Sequence, residues 1–320
     1  MSWRTALAAR RRFGSQRAMA EARISKVDRP VAGVMWMLAT GLNFVMVTAF
    51  VKLAGHRIPA AESAFLRYLL GLVFLVPMLK PLFAARLDRQ AIALFSLRGL
   101  VHTLGVILWF YAMARIPMAE VTALNYLTPV YVTLGAVLVF GEQLALRRIL
   151  AIAAALVGAL VILRPGIRAV EPGHVAMLGT AVLFSASYLI AGRMSGLVKP
   201  VVVVAMLSIT VTVGLAPFAL ANWVTPTLSE LGWLFGVAAF ATAGHYTMTL
   251  AFAAAPMSVT QPVTFLQLVW SVLIGWLVFA EPVDGWVIVG GGLILGAVSY
   301  ITLREAMLKR RVTPAGSPGA

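Results

Sequence analysis

The sequence predicts an all-α integral membrane protein with ten transmembrane helices arranged as two inverted five-helix repeats, and three observations carry that expectation. Of the 320 residues, 61% are hydrophobic and only 12% charged, with a mean hydropathy of +0.93, whereas soluble domains carry about a quarter charged residues. The apolar residues are gathered into stretches of roughly 20, the length at which a helix crosses a bilayer core. Landmarks of the first half also recur in the second at a fixed offset of 139 residues.

The elements follow in order. The first 29 residues hold eight basic and two acidic residues and no apolar run, so residues 1–30 read as a cytosolic basic tail rather than a cleavable secretory signal. An organelle transit peptide would share the Arg and Ser content, but the first span follows at once. Apolar stretches then lie near 31–53, 61–79, 91–114, 118–140, 145–163, 173–193, 200–221, 229–251, 256–279 and 285–303. The connections are short and carry breakers: Ile58-Pro59, Ile116-Pro117, Arg164-Pro165-Gly166, Glu171-Pro172-Gly173, Lys199-Pro200, Ala255-Pro256 and Glu281-Pro282. Residues 305–320 read as a C-terminal tail, its last residues rich in Pro and Gly.

Lys and Arg outnumber Asp and Glu by 26 to 11. In a soluble chain this excess would point to nucleic acid, but here the charges sit between spans. Positive residues favour the cytoplasmic side of short loops. An inside N-terminus places nineteen of them inside and five outside (Lys52, Arg57, Arg115, Arg164 and Arg168), with Arg67 and Arg98 within spans. The charge therefore reads as topology, with both termini cytoplasmic in a plasma (bacterial inner) membrane, the bilayer as partner and no nucleic acid. With no cysteine, no disulfide, thiolate metal site or thiol nucleophile is available.

The repeat rests on several landmarks in one register. Tyr111 to Met118 lies over Leu250 to Met257, Val139 to Glu142 over Val278 to Glu281, and Thr103 and Gly105 over Thr242 and Gly244. Each half thus has a proline and a glutamate 25 residues apart, Pro117 with Glu142 and Pro256 with Glu281. Repeats over 31–164 and 173–304 with five spans each enter the membrane in opposite directions. Inverted repeats characterise secondary carriers, whose midplane site opens alternately to either side.

Glu62-x-x-Phe65-x-Arg67, Arg98-Gly99, Tyr111-Ala112 with Pro117, and the segment from Pro129 to Glu142 resemble the drug/metabolite transporter superfamily, EamA family, over about residues 31–304. The resemblance implies a ten-helix carrier of small metabolites with a cavity lined by both repeats. Members similar to this chain handle amino acids, other metabolites and, in some branches, riboflavin or S-adenosylmethionine. The chain departs from its own symmetry where Arg98 lies over Val237 and where the Glu62 motif lacks a clear counterpart.

Polar groups inside spans are costly unless they face a cavity or a partner. Arg98, His102, Gly105 and Trp109 share one helical face, as do Thr122, Asn125, Pro129 and Thr133, and Thr260, Thr264, Gln267 and Ser271. The candidate substrate-binding residues are Trp36, Asn43, Arg98, His102, Trp109, Asn125, Tyr126, Tyr188, His245, Tyr246, Gln261, Gln267 and Trp270. Helix packing is the competing reading, strongest for Thr and Ser, and aromatics also mark membrane interfaces. His102 and His245 are the intramembrane groups whose ordinary titration lies near neutral pH; no carboxylate falls mid-span, so no carboxylate proton relay is expected. Arg67 and Arg98 read either as snorkelling side chains or as charges that attract a carboxylate or phosphate.

No Walker A loop, His-Glu-x-x-His motif or Gly-x-Ser-x-Gly elbow occurs, and the Gly290-Gly291-Gly292 cluster reads as close helix packing. No cofactor, metal or enzymatic activity is expected. The function expected first is secondary transport of an amino acid, aromatic metabolite or related compound by alternating access. The alternative is uptake of a vitamin or cofactor such as riboflavin or S-adenosylmethionine, and a lipid-acting membrane enzyme is the reading from another class.

Overall fold

A computed structural model of the chain describes residues 29–85, 87–140, 146–194, 200–255 and 260–312. The basic tail, Arg86, Glu142, Lys199, Pro256 and residues 313–320 lie outside the described residues. Within them the chain is helical, with no strand: α1 (Pro30–Ala54), α2 (Ala60–Gly71), a 3-10 segment (Leu72–Met78), α3 (Leu79–Phe83), α4 (Arg89–Arg115), α5 (Met118–Asn125), α6 (Thr128–Phe140), α7 (Leu146–Leu163), α8 (Pro172–Met194), α9 (Pro200–Ala221), α10 (Leu228–Ala254), a second 3-10 segment (Gln261–Thr264), α11 (Phe265–Phe279) and α12 (Gly285–Val312). Among the described residues seven helices are long and apolar enough to cross a membrane.

Local chemistry sets the ends. The Asp88 side chain accepts the Ala91 N–H at 2.7 Å and starts α4, while Thr227 and Glu230 form a capping box on α10, each satisfying donors that a helix start leaves free. Three stretches expected as single helices differ. The second tightens into 3-10 turns around Pro77, which has no N–H to continue the ladder. The fourth breaks at Tyr126–Leu127, between α5 and α6, and the ninth begins with 3-10 turns ahead of α11. The tenth runs on to Val312, because no breaker precedes Pro314.

Packing is reciprocal between the halves. With α1 the sequence counterpart of α8, α2 of α9, α4 of α10 and α7 of α12, the most extensive contacts pair α1 with α10 and α8 with α4. Likewise α2 meets α10 while α9 meets α4, and α11 meets α1 while α6 meets α8. The pair α7 and α12 crosses at backbone distance: a Cβ on Gly158 would lie 2.7 Å from the Gly290 carbonyl oxygen, and one on Gly290 would lie 2.5 Å from that of Gly158. Glycine there permits the close approach through which membrane helices gain van der Waals contact. The main apolar core draws residues from both halves, among them Val106, Phe110, Leu124, Met177, Leu215 and Ile294.

Candidate functional site

The two interrupted helices meet inside the bundle. Pro129 supplies no N–H, so the Asn125 carbonyl loses its partner one turn on and the helix is free to break at Tyr126–Leu127. Across from it, the Tyr126 hydroxyl donates to the Thr264 carbonyl at 2.9 Å, at the end of the second 3-10 segment. A turn away, the Thr122 and Ser271 hydroxyls lie 2.6 Å apart, both buried. Irregular backbone at membrane depth is tolerated where it is covered by protein or lines a cavity, and discontinuous helices at a repeat interface are where carriers hold their solutes.

The face of α4 that carries Arg98, His102, Gly105 and Trp109 turns towards α8 and α9. His102 is buried, its Nδ1 3.1 Å from Ser187 Oγ and its ring stacked on Phe184 at 4.7 Å. Gly105 lies under the same Phe184, where a Cβ would come within 2.8 Å of the ring, and Trp109 meets it edge-on at 5.9 Å. Phe184 in turn neighbours Tyr188 at 6.4 Å, and Tyr188 is 47% exposed, so the aromatic ladder ends on an open ring. Arg98 is 7% exposed and donates Nη1 to the Val203 carbonyl at 3.3 Å.

The remaining candidates fall into two groups. His245 is exposed and meets Phe44 edge-on at 5.3 Å. Asn43 donates to the Ala39 carbonyl at 2.7 Å and packs beside Gly244; Gln267 backs onto Gly41. Asn125 Oδ1 accepts the Thr128 hydroxyl at 3.5 Å. The side chain of Gln261 lies outside the described residues. Trp36, Tyr246 and Trp270 are 41%, 66% and 36% exposed, and no described ring or side-chain hydrogen bond ties them to the cluster around His102. Thr40, Thr133, Thr242 and Thr249 each donate to the carbonyl four residues earlier in their own helix, a satisfied packing role.

The candidate set omits two partners of His102, Phe184 and Ser187 from α8; Arg67 of α2, weighed above as an anion-attracting charge, has its guanidinium 4.0 Å above the Tyr68 ring. Phe184, Ser187 and Tyr188 have i, i+3, i+4 spacing on one helix. Reading that face against the α4 stripe would have found them.

The end of the bundle expected to face outwards is tied by ion pairs between elements. Arg168 makes two 2.9 Å bonds to the two oxygens of Glu120, which is 3% exposed at its side chain. His174 takes the Glu171 N–H on Nδ1 at 3.0 Å, leaving Nε2–H to donate to Glu120. The hydrogen-bonded Glu120 carboxylate holds the Arg168 guanidinium above its ordinary pKa. Lys52 pairs with Glu281 at 2.6 Å, and Glu281 also accepts the Met118 N–H at 2.9 Å. Arg57 pairs with Glu230 and Arg164 with Asp284, and Glu62 accepts the Val224 N–H at 2.9 Å. The sequence showed that no carboxylate falls mid-span but not the partners of these acids, which lie up to 173 residues away.

Comparison with known proteins accords with this architecture. A solved crystal structure superposes with a TM-score of 0.54 at 19% identity, covering 84% of this chain and 98% of that one, a likeness of fold. The riboflavin transporter of Rhizobium johnstonii is 31% identical over 288 residues, 89% of this chain and 95% of that protein. The pseudopaline exporter of Pseudomonas aeruginosa is 26% identical, with 85% and 96% covered, and the S-adenosylmethionine uptake transporter of Rickettsia prowazekii 24% identical, with 85% and 93% covered. The profile of the EamA-like transporter family matches residues 31–164 and again 171–303. With apolar helices of spanning length and a family match over most of its length, this integral membrane chain belongs to the EamA-like transporter family.

Proposed function

We propose that the chain is a secondary carrier that takes up a vitamin- or cofactor-sized solute with a flat ring, of the riboflavin class, by alternating access. In this reading ten spans form two inverted five-helix repeats, with both termini cytoplasmic in the plasma membrane. The observation that carries it is the meeting of two discontinuous helices, one from each half, at the Tyr126–Thr264 bond. The reciprocal packing of the halves supports the same reading. The ladder from Trp109 through Phe184 to Tyr188 offers a planar solute a ring to stack on, worth about 0.5–1.5 kcal/mol per aromatic pair.

The relatives move the solute class away from the amino acid expected first. Those named for riboflavin and S-adenosylmethionine support the vitamin or cofactor alternative. The test is counterflow in proteoliposomes without ATP or an imposed ion gradient, using labelled riboflavin, S-adenosylmethionine and aromatic amino acids. Accumulation of riboflavin against preloaded unlabelled riboflavin is expected. Accumulation of an amino acid with none of riboflavin would sink the assignment.

A further inference from the structure

Among the described residues, two arginines within the spans have no matching acid. Arg98 is the tenth residue of α4, about 14 Å along the helix from its start, and it is buried to 7% exposure. Its one described hydrogen bond goes to a neutral backbone carbonyl, and its Nε has no partner. Arg67, the eighth residue of α2, lies over the Tyr68 ring. Among the described residues neither arginine forms an ion pair. Glu62, Glu120, Glu230, Glu281 and Asp284 stand at helix ends and are held there by the contacts already given. The helices that carry the two arginines, α2 and α4, pack against each other. Arg67 with Tyr68 and Arg98 with His102 thus sit on neighbouring helices, and no described carboxylate pairs with either arginine.

An unpaired charge away from water is costly, and snorkelling does not relieve Arg98, whose side chain is enclosed. The Trp109 indole N–H, on the same face of α4, is likewise buried without a partner. A guanidinium is the side chain best matched to the planar or tetrahedral oxygens of a carboxylate or phosphate.

We propose that Arg67 and Arg98 form an anion site within the bundle, so that the carrier prefers solutes whose ring bears a carboxylate or phosphate over their neutral counterparts. Tyr68 stacks against the Arg67 guanidinium, and the half-exposed Tyr188 ring ends the aromatic ladder that begins on the Arg98 face of α4. The anion fills the unmet donor of Arg98 and cancels charge that the protein leaves uncompensated. This rests on the carrier reading for its biological meaning, but the site is measurable by binding alone.

The experiment measures equilibrium binding to the purified, detergent-solubilised full chain with two fluorescent pairs, riboflavin 5′-phosphate against riboflavin and 2-naphthoate against 2-naphthylmethanol. Wild type is expected to bind the anionic member of at least one pair at least tenfold more tightly. In Arg98→Gln and Arg67→Gln the anionic member binds more weakly and that preference falls below threefold. Arg98→Lys, which keeps the charge but loses the planar fork, retains part of the preference. Each variant is checked for a single monodisperse species and wild-type thermal midpoint. Inorganic phosphate competing as well as the phosphate ester would assign the site to a free ion and overturn the solute proposal. Equal binding of charged and neutral members in wild type, or no binding of either pair, would overturn it outright. Counterflow separates the two ideas: anion-selective binding without flavin transport defeats the carrier assignment alone, and riboflavin transport without anion preference defeats the anion site alone.

Discussion

Glu120→Gln tests whether the end expected to face outwards is held shut by its buried charge cluster. Glu120 accepts from Arg168 on both oxygens and from His174, and it joins the start of α5 to the 164–171 connection and the start of α8. Removing one partner of a buried pair costs about 3–5 kcal/mol, because the other charge is stranded. The Arg168 side chain is 28% exposed, so water recovers part of this, and about 2–3 kcal/mol is a fair expectation. At 1.4 kcal/mol per decade that is roughly a 30- to 140-fold shift towards opening. The chain has no cysteine, so a single one gives a label without background. Ile116 is fully buried beside Gly173, where a Cβ would come within 2.6 Å of it. Ile116→Cys alone is expected to react slowly with a membrane-impermeant maleimide, and Ile116→Cys with Glu120→Gln to react faster by that factor, up to the ceiling of a fully open population. The thermal midpoint falls in parallel, and adding Arg168→Gln to Glu120→Gln costs little more. Arg57→Gln is the internal comparison: its partner is the partly buried Glu230, but Arg57 itself is 48% exposed, so labelling should change less than threefold. Unchanged labelling and midpoint in the Glu120 variant would refute the reasoning.

Tyr126→Phe removes the side-chain bond that joins the two helix interruptions and should cost about 0.5–1.5 kcal/mol, while lowering transport more than stability; wild-type flux at normal expression would count against the junction as a working part. Gly158→Ala drives a methyl to 2.7 Å from a backbone oxygen that cannot rotate away, so a loss of about 1–3 kcal/mol is expected, read as a lower thermal midpoint in detergent. Gly232→Ala, with nothing within 4 Å, should be neutral or slightly stabilising; similar midpoints for the two would contradict the packing argument. Ile167→Cys, at an 84% exposed position, should label from outside intact cells, whereas Met307→Cys, 51% exposed at the other end of α12, should label only after permeabilisation. The reverse pattern would invert the assigned orientation.

What could be read from the chain, and what could not, divides along the reach of each physical signal. Helix existence is a local property, set by runs of apolar residues closed by Pro and Gly, and those runs became helices. The interruptions at Tyr126 and before Phe265 were half visible: Pro129 and Pro262 announce a lost N–H, but whether a proline kinks or breaks a helix depends on which neighbour satisfies the freed groups. Here the neighbour at the junction is Tyr126, reaching Thr264 from 138 residues away. The α4 stripe was correct as periodicity and ambiguous as chemistry. Its spacing is the same whether the face meets a solute or another helix, and the structure divides it residue by residue. Gly105 is where α8 comes close, His102 is satisfied by Ser187, and Arg98 is the member left with an unmet donor. Charge in the loops announced sidedness but not pairing, because Glu120 reaches a loop arginine 48 residues on and Glu230 one 173 residues back. The same low-dielectric logic applies at both levels. At the expected outer end every buried acid found a donor, so those charges serve closure. Among the described residues two arginines within the spans have no acid, and that difference is what motivates the proposal that an anionic solute compensates them.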